Sequence, residues 1–256
     1  MKRPLASVLL LLAAILCLPA VSQPMDEILP IPDSASEAPS RSGADASIFY
    51  TPATSLDIFG QAFYPDAEHP YRRLPESLNG VSREPLWRLG CNSSGIYVRF
   101  RSDSPEIHAR WTNTGHHMPH MTDCGTGGVD LYTRIGREWI YVGSGFNWGA
   151  IGPSHEARLV GNMESGMREY MLYLSLYDEV ITLDIGVPEG YTVEKAALRS
   201  PSADHPVVAY GTSILQGGCA SRPGMAFTNI LSRRLDRTVI NLGFSGNALL
   251  DYEIAE

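Results

Sequence analysis

The sequence predicts two domains, an all-β sandwich or jelly roll followed by the start of a three-layer α/β domain. Three observations predict this. From Trp87 to about Leu198, apolar and polar residues alternate with period two in short runs parted by turn signals, with no long helix; this is the pattern of half-buried antiparallel strands. From Val207 to Asn247 the pattern becomes a short apolar run, a Gly-rich loop, an amphipathic run and a second apolar run, which reads as strand, helix and strand of a parallel sheet covered on both faces. Residues 200–206 form a Pro-bounded linker between the two. At 256 residues, 44% hydrophobic and 19% charged, the composition is that of a globular chain. A formal net charge of −8 argues against nucleic acid or an anionic membrane as partner and says nothing about neutral substrates.

The elements follow in order. Lys2 and Arg3 precede an apolar run from Leu5 to Leu18, then Pro19-Ala20-Val21-Ser22. Residues 1–22 are therefore expected to be a secretory signal peptide, too short for a comfortable membrane span. An uncleaved anchor is the alternative. Bulky Leu16 ahead of Cys17 disfavours lipidation. The mature chain is expected to be secreted or periplasmic, with no membrane anchor. Residues 23–47, rich in Pro, Ser, Asp and Glu without periodicity, read as a disordered linker.

Residues 48–199 form the predicted β domain. Up to Leu86, Phe49, Tyr50, Phe59, Phe63, Tyr64 and Tyr71 are scattered among prolines and polar residues, which predicts irregular structure packed on the strands. Beyond Trp87, Ile96, Val98 and Phe100 alternate with Tyr97, Arg99 and Arg101, and Ile107, Ala109 and Trp111 with Glu106, His108 and Arg110. The alternation recurs at Val129–Arg134, Glu138–Val142, Tyr170–Leu174 and Val180–Ile185, with turns at Ile135-Gly136-Arg137 and Tyr177-Asp178.

Without the leader, Cys91, Cys124 and Cys219 remain. Export permits disulfides, and an odd count leaves a thiol over; Cys91 and Cys124 are the pair that shares a predicted domain. Cys219 reads as a packed or loop residue. His116, His117 and His120 in His-His-Met-Pro-His offer zinc-ligand chemistry. Pro119 rules out the helical spacing that makes such imidazoles chelate. No metal is therefore expected, and the favoured role is a loop near substrate, with His120 substrate-proximal. Asp204-His205 precedes Ser213 by eight residues, roughly 26 Å of extended chain, and so belongs at the wrong end of the strand to serve as its base.

In the second domain, residues 207–256, the apolar run Val207–Ala209 ends at Gly211-Thr212, so that Ser213 projects beyond the carboxyl edge of the strand, where open α/β sheets bind ligands. Phe227, Ile230, Leu231 and Leu235 predict a helix from about Met225 to Leu235 that crosses back over the sheet. A strand from Thr238 to Leu242 then brings Phe244-Ser245-Gly246-Asn247 to the same edge. A serine nucleophile needs a base and an oxyanion site, and backbone N–H groups of Ser213 and Gly246 are candidates for the latter. A Gly-Thr-Ser after a strand is, by itself, often only a turn.

Gly211-Thr212-Ser213-Ile214 resembles the first signature of the SGNH (GDSL-type) hydrolases, and Asn241-Leu242-Gly243-Phe244-Ser245-Gly246-Asn247 resembles the second. Gly128-Val129-Asp130-Leu131-Tyr132 resembles the GxDLY-bearing β domain that precedes the catalytic module in a bacterial branch of that family. Together the likeness covers roughly Trp87 to Asn247; Thr212 stands where the family usually has Asp. The resemblance implies a flavodoxin-like α/β domain, Ser213 as nucleophile, Gly246 in the oxyanion hole, Asn247 close to substrate, and no cofactor. Asp130 is expected to orient backbone. The family's Asn-bearing third signature and its distal Asp and His would lie beyond Glu256. The chain is accordingly expected to be the front part of a longer enzyme, inactive as it stands, with its His base downstream.

The implied function is that of a secreted serine esterase, first of all a carbohydrate O-acetyl esterase acting on acylated carbohydrate. Trp87, Trp111, Trp139 and Trp148 are candidate sugar-stacking surfaces and equally candidate core. The alternatives are a noncatalytic glycan-binding β-sandwich module and a lipase or small-ester hydrolase.

Overall fold

The computed structural model describes residues 47–62, 66–146, 152–196 and 205–255. The expected signal peptide, the linker at 23–47 except its last residue, residues 200–204 of the second linker, Phe63, Tyr64 and Trp148 lie outside the described residues. The order is β1 (Ile48–Pro52), β2 (Asp57–Phe59), α1 (Glu84–Gly90), β3 (Tyr97–Ser102), β4 (Ile107–Asn113), α2 (Asp123–Gly127), β5 (Val129–Ile135), β6 (Glu138–Gly145), β7 (Ser154–Val160), β8 (Arg168–Tyr173), β9 (Val180–Pro188), β10 (Val193–Lys195), β11 (Val207–Gly211), α3 (Ser213–Gln216), α4 (Phe227–Leu235), β12 (Val239–Gly243) and α5 (Tyr252–Ala255). The fold is thus β-rich with few helices. No helix among the described residues is long and apolar enough to cross a membrane.

The period-two segments form two antiparallel sheets, one ordered β1-β9-β4-β7 and the other β10-β3-β8-β5-β6 with β2 added to β3; β1 and β2 come from the stretch expected to be irregular, and pair as strands at the sheet edges. Their facing side chains make one core: Ala109, Trp111, Leu183 and Ile185 from the first, Val98, Phe100, Leu131 and Leu172 from the second. β4 shows why alternation is enough there. Ile107, Ala109, Trp111 and Asn113 are buried, and the residues between them are not.

β3 departs from the expected pattern, because Tyr97 and Arg99 on its polar face are buried as well. The reason is a second cover. Tyr97, Tyr132, Trp139, Met171 and Tyr173 form an aromatic patch on the outer face of the second sheet, and the C-terminal segment lies on it. The Tyr97 hydroxyl bonds the Thr238 hydroxyl at 2.9 Å, the Tyr173 hydroxyl donates to the Asn229 carbonyl at 3.2 Å, and the Arg233 guanidinium stacks over Tyr132 at 3.9 Å. Residues Asp45–Glu256 pack as one compact unit.

Three expectations are corrected. The helix at 225–235 forms as α4, preceded by a short 3-10 turn at Pro223–Met225, but its buried residues are Thr228, Asn229 and Ser232, whereas Phe227, Leu231 and Leu235 are exposed. Its polar side faces inward because its neighbours there offer hydrogen bonds: Asn241 Nδ2 donates to Thr228 Oγ1 at 3.0 Å, and Asn229 Nδ2 to the Pro223 carbonyl at 2.9 Å. Cys91 and Cys124 are free thiols, both buried. Cys91 packs with Leu86, Leu242 and Phe244, whereas Cys124 sits in α2 near Asp130, and burial pushes their pKa values up to about 11 and about 12. Trp87, Trp111 and Trp139 are core residues, each less than 9% exposed, and offer no stacking surface to a sugar.

Candidate active site

β11 and β12 pair in parallel with Gly211 opposite Gly243, and the Phe244 N–H donates to the Gly211 carbonyl at 2.8 Å. Both strands therefore end level, and the loops carrying Ser213 and Ser245-Gly246-Asn247 leave from the same carboxyl edge. Ser213 opens the single turn α3, which ends at Gly217 in a left-handed conformation. Gly243 is required by close approach: a Cβ there would meet the Gln216 nitrogen at 2.2 Å. Gly246 is required by conformation instead, with φ of +67° and open space where a Cβ would stand.

Buried side chains lock the two loops together. Gln216 accepts from the Ser245 N–H at 2.9 Å and donates to Asn92 Oδ1 at 3.1 Å. Asn241 accepts from the Gly243 N–H at 2.9 Å and donates to the Leu215 carbonyl at 2.7 Å. Tyr177, from the turn ahead of β9, donates to the Ser213 carbonyl at 3.2 Å. Beneath the second loop Arg73 is 1% exposed, and its donors all go to carbonyls: Asn92 at 2.9 Å, Leu89 at 2.5 Å, Asn241 at 3.0 Å and Gly243 at 2.6 Å. Its guanidinium lies 5.1 Å from the centre of the Phe244 ring. Burial lowers the Arg73 pKa to about 9, still high enough to keep the charge at neutral pH.

Asn247 donates to the Ser245 carbonyl at 3.0 Å and accepts from Arg83, which is itself held by Asp251 at 2.5 Å. A cavity of about 540 Å³ opens beside this loop; Ser245, Asn247, Tyr177, Arg88 and His116 contribute to its walls, and Ser213 is not among them. His120 is not in that lining either; it is exposed, and its carbonyl accepts from the Cys219 thiol at 3.8 Å. The histidine of that run facing the cavity is His116. Asp178 fixes its loop by accepting from the N–H groups of Thr114 at 3.1 Å and His116 at 2.8 Å. His117 pairs with Asp123 at 2.7 Å, and among the described residues no group of three His, Cys, Asp or Glu side chains is arranged to hold a metal ion. Ser213, half-buried, has no side-chain partner for its hydroxyl among the described residues.

Asp130 sits away from this edge. It is wholly buried and accepts from the Gly224 N–H at 2.8 Å and from the hydroxyls of Tyr132 and Ser144. Desolvation raises its pKa against those bonds and the nearby Arg222. It thus holds the turn ahead of α4 against the second sheet. Gln216, Tyr177, Arg73 and Arg88 were not singled out from the sequence, because only the folded chain brings them to one edge with His116.

Sequence comparison with curated proteins returns no match. The family model described as GxDLY, N-terminus of Esterase_SGNH_hydro-type, matches residues 48–193, and that of the GDSL-like Lipase/Acylhydrolase family matches residues 204–256. Among solved structures, a protein of Bacteroides ovatus ATCC 8483 described as a GDSL-like lipase is 35% identical with a TM-score of 0.75, over 82% of this chain and 60% of that one. The salicylyl-acyltransferase SsfX3 of a tetracycline biosynthetic pathway is 18% identical with a TM-score of 0.61, over 78% of this chain and 55% of that one, a likeness of fold alone. The chain thus spans less than two thirds of the length of either protein. With over half of its length matched by the first model, this chain belongs to the SGNH-type esterases that carry a GxDLY N-terminal domain.

Proposed function

We propose that the protein bearing this chain is a secreted esterase that removes acetyl groups from carbohydrate, with Ser213 as nucleophile. The observation that carries the reading is the level ending of β11 and β12, with their two loops bound to each other through Gln216. Ser213 Oγ attacks the acyl carbonyl while an imidazole general base takes its proton. The tetrahedral oxyanion is held by the N–H groups of Ser213 and Gly246. Collapse expels the sugar alcohol, which takes the proton from the imidazole. Water then attacks the acetyl-enzyme by the same route in reverse and releases acetate. β11 and β12 are read as the first strands of a three-layer α/β domain, and the two antiparallel sheets as a jelly roll. The charged and apolar pattern of residues 1–22 supports export.

The test compares full-length protein with its Ser213→Ala variant on acetylated xylan and p-nitrophenyl acetate, reading released acetate and nitrophenol. Loss of about 10³-fold or more in kcat is expected for a nucleophile. Turnover by the variant within tenfold of the parent would sink the assignment.

A further inference from the structure

We propose that the cavity beside Ser245 and Asn247 receives the alcohol half of the ester, and that its occupant is a neutral pyranose ring gripped by Arg88, Glu84 and His116. The identity of the alcohol rests on the hydrolase reading above; the affinity of the cavity for a sugar does not. At about 540 Å³ the space lies within the roughly 300–1,000 Å³ of small-molecule sites. Its position is chemically apt. Tyr177 is both a wall of the cavity and the donor to the Ser213 carbonyl, so a ring held there lies next to the nucleophile's turn without burying it.

The charges of the wall argue for a neutral occupant. Glu84 and Arg88 are four residues apart on α1 and so share one helix face with opposite signs. Glu179, the other acid of the wall, is paired with Arg72 at 2.6 Å, a cation it shares with Glu76 at 2.8 Å. Among the described residues the wall thus keeps one unpaired charge of each sign, Glu84 and Arg88, and does not favour an anion.

The unused polar groups argue for a polyol. Among the described residues the side chains of Glu84, Arg88 and His116 make no hydrogen bond or ion pair within the protein, whereas Asn247 and Thr114 already have partners. A carboxylate acceptor, a guanidinium donor and an imidazole thus stand free around one space. Leu89, Met118 and Tyr177 belong to the same wall. Hydroxyls at the rim of a ring and C–H groups on its face match that mixture of polar and apolar groups. A long acyl chain would instead leave three polar groups dry and unpaired. Both walls are fixed in advance: α1 through Arg73 to the Leu89 carbonyl, and the 114–116 loop through Asp178.

The experiment measures, for full-length protein, the ratio of kcat/KM on a monoacetylated methyl pyranoside to kcat/KM on p-nitrophenyl acetate. Arg88→Ala and His116→Ala are each expected to lower that ratio about five- to tenfold, the worth of one hydrogen bond to a hydroxyl. A ratio unchanged in both variants overturns the proposal, whatever happens to either rate alone. So does a change confined to the chain-length preference among p-nitrophenyl esters, which would assign the cavity to the acyl group. If neither the parent nor any variant turns over an ester, the hydrolase reading has failed separately. Calorimetric titration with unacylated methyl pyranoside then decides: binding weakened about tenfold by Arg88→Ala supports the site, and absent or unaltered binding overturns it.

Discussion

Arg73 is a wholly buried cation with no carboxylate within ion-pair distance among the described residues; it spends its donors on the carbonyls of Leu89, Asn92, Asn241 and Gly243. Burying a charge is costly unless it is fully hydrogen-bonded, and these bonds hold the strand end that leads into the second loop. Arg73→Met should therefore destabilise the protein by about 3 kcal/mol or more, since several buried carbonyls lose their donor at once; urea unfolding would show it, and a loss below about 1 kcal/mol would refute the role. Arg73→Lys should recover only part, because an ammonium cannot reproduce the fork. His155 makes a different prediction. Its ring stacks on Trp111 at 4.8 Å, and its Nδ1 is buried without a partner. Burial lowers its pKa below the ordinary 6.5. The folded protein then binds this proton less readily than the unfolded chain, so its contribution is complete above about pH 6.5 and declines as pH falls towards the folded value. His155→Phe should flatten the fall in Tm between about pH 7.5 and pH 5.5; a slope equal to that of the parent would rule His155 out as its source. None of this was legible beforehand. A lone arginine in a Pro-rich stretch and a histidine in an alternating strand carry no mark of what will cover them.

At the level of elements, strands β3 to β6, β8 and β9 and the edge position of Ser213 were legible, because period two and a strand ending in Gly-Thr-Ser are local signals; β1 and β2, in a stretch of scattered aromatics and prolines, were not. The orientation of α4 was not. Phe227, Leu231 and Leu235 make an apolar stripe that ordinary patterning turns inward, yet Thr228, Asn229 and Ser232 occupy the buried side. A sequence records which residues share a helix face; it does not record that the opposing surface is rich in hydrogen-bonding groups. The GxDLY segment is a similar case. Asp130 meets the Gly224 N–H, a contact between residues 94 positions apart, and Gly224 is small because a Cβ would stand 2.3 Å from the Tyr132 hydroxyl and 2.7 Å from Asp130 Oδ2. Gly224→Ala should thus cost about 1–3 kcal/mol through overpacking, measured by thermal unfolding. A neutral result would mean that the turn ahead of α4 is not held tightly against β5.

On the scale of the whole molecule, the predicted boundary after residue 199 separates two sequence patterns, but the surface between them is core. Tyr97, Tyr132, Trp139, Met171 and Tyr173 are each no more than 8% exposed, and residues 223–243 supply contacts to Tyr97, Tyr132, Trp139 and Tyr173. Such side chains are worth roughly 1.5–3 kcal/mol apiece when fully covered, so the patch approaches the roughly 5–15 kcal/mol net stability of a typical domain. Uncovering it also leaves a broad aromatic surface on a sheet face, a recognised route to aggregation. A fragment of residues 48–196 should accordingly be much less stable than residues 48–255, bind a hydrophobic dye and associate in solution. Residues 48–255 should unfold in one transition, with fluorescence from the buried Trp111 and Trp139 and far-ultraviolet ellipticity changing together. A soluble, monomeric 48–196 fragment that melts at the same temperature as the longer chain would contradict this and would restore the possibility that the β region works alone as a binding module. The physical reason to expect otherwise is that the β region has two faces to cover, one between its own sheets and one that α4 and the loop after it close.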